Sequence, residues 1–376
     1  MGGLSGDLRG DCDGVCPLLE NMRGYHSALS WDSLGSPRVA RSRLPELIPR
    51  RLATTRDAAD GECALFTLGH LSDWHATPLA GAGVSEFLNK RIFGWLSWNV
   101  KRGRVHRPEV LEALFDDVQR QAPDHVAITG DLTNVALEQE FVEAARWLER
   151  LGAPDWVSVI PGNHDAYVRV VHEHGWQHWS RYVASDPAEG GSVSPAGPDD
   201  FPTLRVRGPV ALVGVCSAIP TPPFMATGRV GDAQLARLET LLAALRDRGL
   251  CRVVLLHHPP NDEDVVPRRR LGDSARLREV LGRVGAELVL HGHRHRTILR
   301  SITGPEGEIP VVGVRSSSDV GSHEYKRAQY HIYRIERAPS GPELGPGRFA
   351  IQLATRGYDP QTGAFVSEGS VQQLTS

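Results

Sequence analysis

The chain has 376 residues, long enough for one large domain or two ordinary ones and for a sizeable buried core. Hydrophobic residues make up 40% and charged residues 23%, near globular averages, which excludes wholesale disorder. A net charge of −3 argues against a chain that coats nucleic acid, and no apolar run reaches the roughly 18 to 20 residues of a spanning helix.

Residues 1 to 63 show no sustained period of 2 or 3.6, and Arg41 to Arg56 is a basic stretch broken by Pro45 and Pro49. They read as a poorly ordered extension, with Met22 as an alternative start and no apolar stretch of a secretory leader. Five cysteines (Cys12, Cys16, Cys63, Cys216, Cys251) are odd in number and scattered. That fits a reducing, cytoplasmic setting better than a disulfide framework.

From Ala64 a regular grammar begins. The run Ala64 to Leu71 predicts a buried strand ending at Ser72-Asp73. Pro108 to Gln121 predicts an amphipathic helix with Val110, Leu111, Leu114, Phe115 and Val118 inward. Asp124 to Thr129 is the next strand, ending at Gly130-Asp131, and a helix with Phe141, Val142, Ala145 and Leu148 inward follows it. Trp156 to Ile160 predicts a third strand, before an irregular stretch from Val168 to Asp200. In that stretch His172, His174 and His178 with Trp176 and Trp179 read as rim packing, because no carboxylate stands at ligand spacing. Strand and helix then alternate again: Val210 to Cys216, Asp232 to Arg248, Arg252 to Leu256, Ser274 to Val284, Glu287 to Leu290. Pro310 to Val314, Gln329 to Arg334 and Arg348 to Ala354 read as strands without helices between them, which points to a second sheet packed on the first. The reading is an α/β domain over 64–356 with a C-terminal tail over 357–376.

In open α/β sheets functional groups gather beyond the carboxyl ends of strands. Five such ends carry ligand-type residues: Asp73-Trp74-His75, Gly130-Asp131, Gly162-Asn163-His164-Asp165, His257-His258-Pro259 and His291-Gly292-His293-Arg294-His295. A lone buried histidine is usually a satisfied core residue, but five ends in chain order do not fit that account. Carboxylates, an amide and imidazoles without a thiolate suit Mn²⁺, Fe²⁺ or Zn²⁺. Asp73, His75, Asp131, Asn163, His257, His293 and His295 make more donors than one shell needs, which suggests two ions sharing a carboxylate.

The ordered set D-x-H, G-D, G-N-H-D, H-x-P and G-H-x-H resembles the calcineurin-like dinuclear metallophosphoesterase superfamily. The resemblance implies two mixed β-sheets packed face to face with flanking helices, a four-layer sandwich. It implies two divalent ions, Mn or Fe ahead of Zn: Asp73, His75 and His295 would hold one, Asn163, His257 and His293 the other, and Asp131 would bridge them. It also implies a metal-dependent phosphohydrolase in which a metal-bridging hydroxide attacks a phosphodiester or pyrophosphate. His164 is expected to protonate the departing oxygen, with Asp165 orienting or charging it. The alternatives are a phosphomonoesterase, a lipid-linked nucleotide pyrophosphatase at the membrane surface, and, least favoured, a non-catalytic scaffold.

Two further regions bear on the substrate, which is expected to be a small-molecule phosphoester or nucleotide rather than a long nucleic acid. Phe87 to Arg107 interleaves aromatics with basic residues and loosely resembles the inserts of UDP-diacylglucosamine hydrolases. It reads as a cap in which Phe87, Ile92, Phe93 and Leu96 pack, with a nucleotide grip through Lys90 and Arg91 or a contact with the inner membrane face as the functional alternative. The loop Ser217 to Gly231 and the helix after it resemble the cyclic-nucleotide phosphodiesterase branch. Arg294, between two ligand histidines, is a further candidate for phosphate contact.

Overall fold

The computed structural model describes residues 65–75, 90–97, 105–191, 195, 197–263, 265–321, 324–338 and 349–375; the extension over 1–63 lies outside them. In the first half β1 (Phe66–Leu71), β2 (His125–Ile128) and β3 (Val157–Val159) alternate with α1 (Arg91–Ser97), α2 (Pro108–Gln121) and α3 (Glu138–Leu151). A short α4 (Ser180–Val183) precedes β4 (Thr203–Arg207) and β5 (Val210–Gly214), and α5 (Asp232–Asp247), β6 (Cys251–Leu256), α6 (Ser274–Val284) and β7 (Leu288–His291) follow. Strands alone complete the regular elements: β8 (Ile298–Gly304), β9 (Gly307–Gly313), β10 (Gln329–Arg337), β11 (Phe349–Asp359), β12 (Ala364–Ser367) and β13 (Gln372–Thr375).

Local chemistry sets these boundaries. Pro108 opens α2, where the missing N–H of a first-turn residue costs nothing, and Ala122 ends it in a left-handed turn whose N–H reaches the Val118 carbonyl. At the start of α3 the buried Glu140 carboxylate accepts the N–H groups of Asn134, Val135 and Leu137, which satisfies donors that a helix entry leaves orphaned. The inward face of α3 is Phe141, Ala144, Trp147, Leu148 and Leu151. Val142 and Ala145, expected inside, are only half-buried, because Trp147 and Ala144 rotate the stripe by about one residue.

The elements form two mixed sheets. One has the order β12-β11-β10-β1-β2-β3, with β13 also on β11, and the other has β4-β5-β6-β7-β9-β8. The late strands therefore do not make a sheet of their own. β10 to β13 complete the first sheet and β8 and β9 complete the second, since β10 pairs antiparallel with β1 and β9 pairs parallel with β7. Nor is the end of the chain a tail: β11 runs on to Asp359, and Phe365 of β12 is buried against Tyr358 and Tyr330.

Alternation along the second sheet shows how it is covered. Leu212, Val253, Leu255, Leu288, Leu290 and Val312 join the large core shared with the first sheet. Their neighbours Ala211, Val213, Val254, Leu256, Val289 and Val311 face α5 and α6 in a second core. Strands buried on both faces read as continuous apolar runs, which is why these were plain in the sequence.

A buried ion pair locks α2 to the first sheet. Asp117 accepts from Arg356 Nε and Nη2 of β11, both at 2.8 Å, and from the Tyr330 hydroxyl of β10 at 2.7 Å. Burial pushes its carboxyl up, but the hydrogen bonds from Arg356 and Tyr330 outweigh this and hold it below the ordinary carboxylate range. Such a group stabilises the fold fully above its unfolded pKa and loses that contribution as pH falls through the folded value. Asp117→Asn is thus expected to cost about 3 kcal/mol at neutral pH, and the gap from wild type should narrow below about pH 4. Urea unfolding across that range checks both statements, and a pH-independent gap would assign the loss to packing.

Candidate active site

The parallel strands of both sheets end at one seam, and backbone bonds tie neighbouring strand ends together there. Asp73 N–H reaches the Gly130 carbonyl at 2.9 Å, Gly292 N–H the His257 carbonyl at 3.2 Å, and Ser317 N–H the Ser72 carbonyl at 2.9 Å. Glycine is required at two of these points. A Cβ on Gly162 would lie 2.3 Å from Asp131 Oδ1, and one on Gly292 would lie 1.9 Å from Ser72 Oγ. Five candidate ligands sit at left-handed φ, which non-glycine residues seldom adopt: Asp73 (52°), His75 (42°), Asp131 (58°), His293 (69°) and His295 (48°). The sharp turns aim their side chains back over the strand ends, a local strain that the surrounding core must over-determine.

The seven predicted ligands converge. His295 Nε2 lies 3.2 Å from Asp73 Oδ1, and His75 Nε2 lies 4.0 Å from the same oxygen and 3.7 Å from Asp131 Oδ2. On the other side His257 Nε2 is 3.4 Å from Asp131 Oδ2 and 3.0 Å from Asn163 Oδ1, which His293 Nδ1 meets at 2.7 Å. Two atoms bound about 2.0–2.2 Å from a common ion stand about 3.0–3.5 Å apart, and three of these six spacings fall in that range.

The tautomers support the same conclusion. Backbone carbonyls only accept, so the ring nitrogens facing them must carry the protons. His75 Nδ1 faces the Thr133 carbonyl at 3.0 Å, His257 Nδ1 that of Thr129 at 2.6 Å, and His293 Nε2 that of Arg269 at 3.0 Å. In neutral rings the opposite nitrogens then present lone pairs toward carboxylate and amide oxygens, an electron-rich cluster that calls for a cation. Asp73 Oδ1 is buried without a hydrogen-bond partner, which adds to that demand. With protons as the sole cations, burial lowers His257 but Asp131 beside it prevails and lifts the ring to about 9. Burial raises Asp131, yet His257, His164 and His75 together hold it well below its usual range. The donor set thus fits two divalent ions, and the groupings of Asp73, His75 and His295 and of Asp73, Asp131 and His257 lie close enough to hold them.

His164 stands at the edge of this cluster. Its N–H donates to Asp131 Oδ1 at 2.7 Å, its Nδ1 lies 2.5 Å from the Asn134 carbonyl, and its ring packs between His75 and Tyr167. The hydrogen bonds of Asp165 serve the backbone instead. Its carboxylate accepts the N–H groups of Asp131, Leu132, Thr133 and Gly162 and the Thr133 hydroxyl. It staples the loop that carries Asp131, and burial together with Asp131 raises its pKa to about 7.

The substrate candidates divide. Arg294 lines the cleft above the ligands, about 490 Å³ in volume, beside Asp131, Asn163, His164, His293 and His295. Lys90 and Arg91 do not line it. Lys90 Nζ donates to Thr221 Oγ1 at 2.9 Å and lies over the Tyr167 ring, while Arg91 donates to the carbonyls of Val135 and Ala136, so both clamp α1 down. Ile92, Phe93 and Leu96 of α1 are exposed instead of packed; Phe87 lies outside the described residues. The histidines read as rim packing do meet a carboxylate: His174 Nδ1 lies 2.8 Å from Glu138 Oε2, on the surface.

One site residue escaped the sequence reading. His106 lines the cleft with Asp319, its ring 4.9 Å from that of His75, and its Nδ1 is 2.9 Å from Ser318 Oγ. Nothing in its flanking basic stretch marks it; an isolated bridge to Asp319 from the far end of the chain brings it in.

Comparison with known proteins agrees with this geometry. The sequence model described as calcineurin-like phosphoesterase matches residues 66–297 and singles out neither narrower branch. No curated protein sequence matches the chain. Among solved structures, a dimetal phosphatase from Danio rerio shares 13% identity, with 72% of this chain and 95% of that one covered and a TM-score of 0.50, a likeness of fold. A purple acid phosphatase from yellow lupin (Lupinus luteus) shares 11% identity over 81% of this chain and 53% of that one, with a TM-score of 0.45. The NAD nucleotidase of Haemophilus influenzae shares 12% over 82% and 54%, with a TM-score of 0.42; this chain spans about half the length of the latter two.

Asp165→Asn turns an amide N–H₂ toward donors and should cost about 2–3 kcal/mol of stability. Metal content should fall together with turnover, because the Asp131 loop loosens. Lost turnover with full metal content by elemental analysis would return Asp165 to the chemistry.

Proposed function

The chain belongs to the calcineurin-like phosphoesterase family, a metal-dependent hydrolase family, and within it we propose a dinuclear enzyme that cleaves a phosphodiester or pyrophosphate bond of a small molecule. The observation that carries this reading is the set of inward-facing imidazole nitrogens on Asp73, Asp131 and Asn163, with the His164 ring beside them. Asp73, His75 and His295 would hold one ion, Asn163, His257 and His293 the other, and Asp131 both; Mn or Fe fits such a donor set, and Zn is tolerated. Bound there, two divalent cations supply Lewis acidity to phosphoryl oxygens and lower the pKa of coordinated water. The protein's own part is positional. Backbone carbonyls of Thr129, Thr133 and Arg269 fix the ligand rings before substrate arrives. His164 keeps one proton on Nδ1 against the Asn134 carbonyl, and when protonated on Nε2 it can deliver that proton to the departing oxygen.

The metal-stripped protein reconstituted with Mn²⁺ should hydrolyse bis(p-nitrophenyl) phosphate faster than p-nitrophenyl phosphate. Asp131→Asn should abolish this with loss of metal, and His164→Ala should lower turnover about 10²-fold with metal retained. Faster monoester cleavage would instead favour a phosphomonoesterase, and no turnover by the fully loaded protein would favour a scaffold.

A second reading is contact with an anionic membrane surface. It is supported by the exposed Ile92, Phe93, Leu96, Phe224 and Met225, with Phe93 and Phe224 rings 5.0 Å apart. The loop carrying Phe224 continues into Ala226, whose N–H meets the carbonyl of the exposed Arg268 at 2.9 Å. No described helix is long and apolar enough to cross a membrane, and the contact proposed is a peripheral one through these side chains. A cytoplasmic setting is supported by Cys216 and Cys251, both buried free thiols. Co-sedimentation with phosphatidylglycerol-containing vesicles should be weakened severalfold by Phe93→Ser with Phe224→Ser, and absence of wild-type binding at low salt removes this reading.

A further inference from the structure

The cleft above the ligands holds more positive charge than a single phosphate can answer. Besides the ligand shell it is lined by Arg269, Arg294, Arg296 and Lys326, and Asp319 is its one carboxylate outside that shell. Among the described residues, Arg269, Arg296 and Lys326 stand in no ion pair. They are not loosely placed. Arg296 and Lys326 both lie over the Tyr325 ring, at 5.7 and 5.6 Å from its centroid, which restrains two long side chains with one aromatic. Arg269 belongs to the residue whose carbonyl holds His293 Nε2, and Arg294 and Arg296 flank His295 in the chain. Arg294 and Arg296 are thus built into the turn that carries His293 and His295, and Arg269 is tied to it through its carbonyl.

Charge arithmetic gives this a consequence. Two divalent ions would bring four positive charges against two from Asp73 and Asp131 and one from the attacking hydroxide, which already balances the single negative charge of a phosphodiester. Arg269, Arg296 and Lys326 then add three positive charges to the same wall, against Asp319 as its one further carboxylate. A concave, low-dielectric wall focuses that field and rewards a second anionic group. Guanidinium forks suit phosphate oxygens in particular.

We propose that Arg269, Arg294, Arg296 and Lys326 form a subsite for a second phosphate, so that the substrate is a pyrophosphate ester or another phosphoester carrying an adjacent phosphate. This rests on the phosphohydrolase reading above and narrows it. The reacting phosphoryl group lies on the ligand cluster, its neighbour is gripped by the rim, and the rim acts on binding, not on the leaving oxygen.

Two measurements on the full, manganese-loaded chain test it. In calorimetric titration, inorganic pyrophosphate should bind at least 10-fold tighter than inorganic phosphate, with strong salt dependence. Arg296→Gln with Lys326→Gln should cut that ratio below about 3-fold, while the charge-conserving Arg296→Lys with Lys326→Arg should keep most of it. In steady state, 5′,5′-linked diadenosine with two bridging phosphates should exceed its one-phosphate counterpart in kcat/KM about 10-fold, and the double glutamine variant should lose that preference through KM. An equal pyrophosphate-to-phosphate ratio in wild type and the glutamine variant overturns the subsite. If neither diadenosine compound nor bis(p-nitrophenyl) phosphate turns over, the phosphohydrolase reading fails, and the titration still decides whether the rim binds a second phosphate.

Discussion

The hydrogen bond from His257 Nδ1 to the Thr129 carbonyl, 2.6 Å long, joins the carboxyl end of one sheet to that of the other. It does two things at once. It closes the seam between β2 and β6, and it fixes the tautomer that turns Nε2 toward Asp131 and Asn163. A second bond in the same sense, from the His293 N–H to Asp73 Oδ2 at 2.9 Å, joins the ends of β7 and β1. A ligand cluster drawn from both sheets exists only while the sheets stay in this register, so the site and the core between the sheets depend on each other.

That dependence explains where strain is tolerated. Left-handed φ values at five ligands cost roughly 1 kcal/mol or more each, and the buried Asp73, Asp131 and Asp165 carboxylates carry a desolvation penalty as well. Glycine at 162 and 292 leaves room for the turns, and Asp165 takes up the N–H groups that the Asp131 turn would otherwise strand. The same economy appears behind the site, where Glu140 caps the 134–137 loop whose Asn134 carbonyl holds His164. Residues that touch no substrate thereby determine where the reactive ones point.

What the sequence made legible follows from what is local. A strand ending in ligand-type residues is a feature of eight or ten consecutive positions, so all seven candidate ligands could be singled out without knowing the pairing, and the structure brings them together. The helices over Pro108–Gln121 and Ser274–Val284 came out residue for residue for the same reason. Tertiary pairing was not legible. β8 alternates little because its outer positions are exposed, and β13, polar but for Leu374, is made into a strand by β11. Asp165 looked catalytic from its place beside His164, and only the positions of four backbone N–H groups reveal it as a staple.

The cationic rim lies on the far side of that boundary. Arg294 was visible because it interrupts a ligand motif, but Arg269 and Lys326 come from separate loops with no motif of their own, and Tyr325 would pass for a surface tyrosine. They belong together only because the β7 turn, the loop before α6 and the turn before β10 open onto one cleft. Side chains that ligate an ion must sit about 2 Å from it and are held here by short turns. Long-range attraction for a second phosphate needs only charges of one sign on one wall. Such a requirement leaves spacing free, so the residues that choose among substrates leave a weaker trace in sequence than the residues that react.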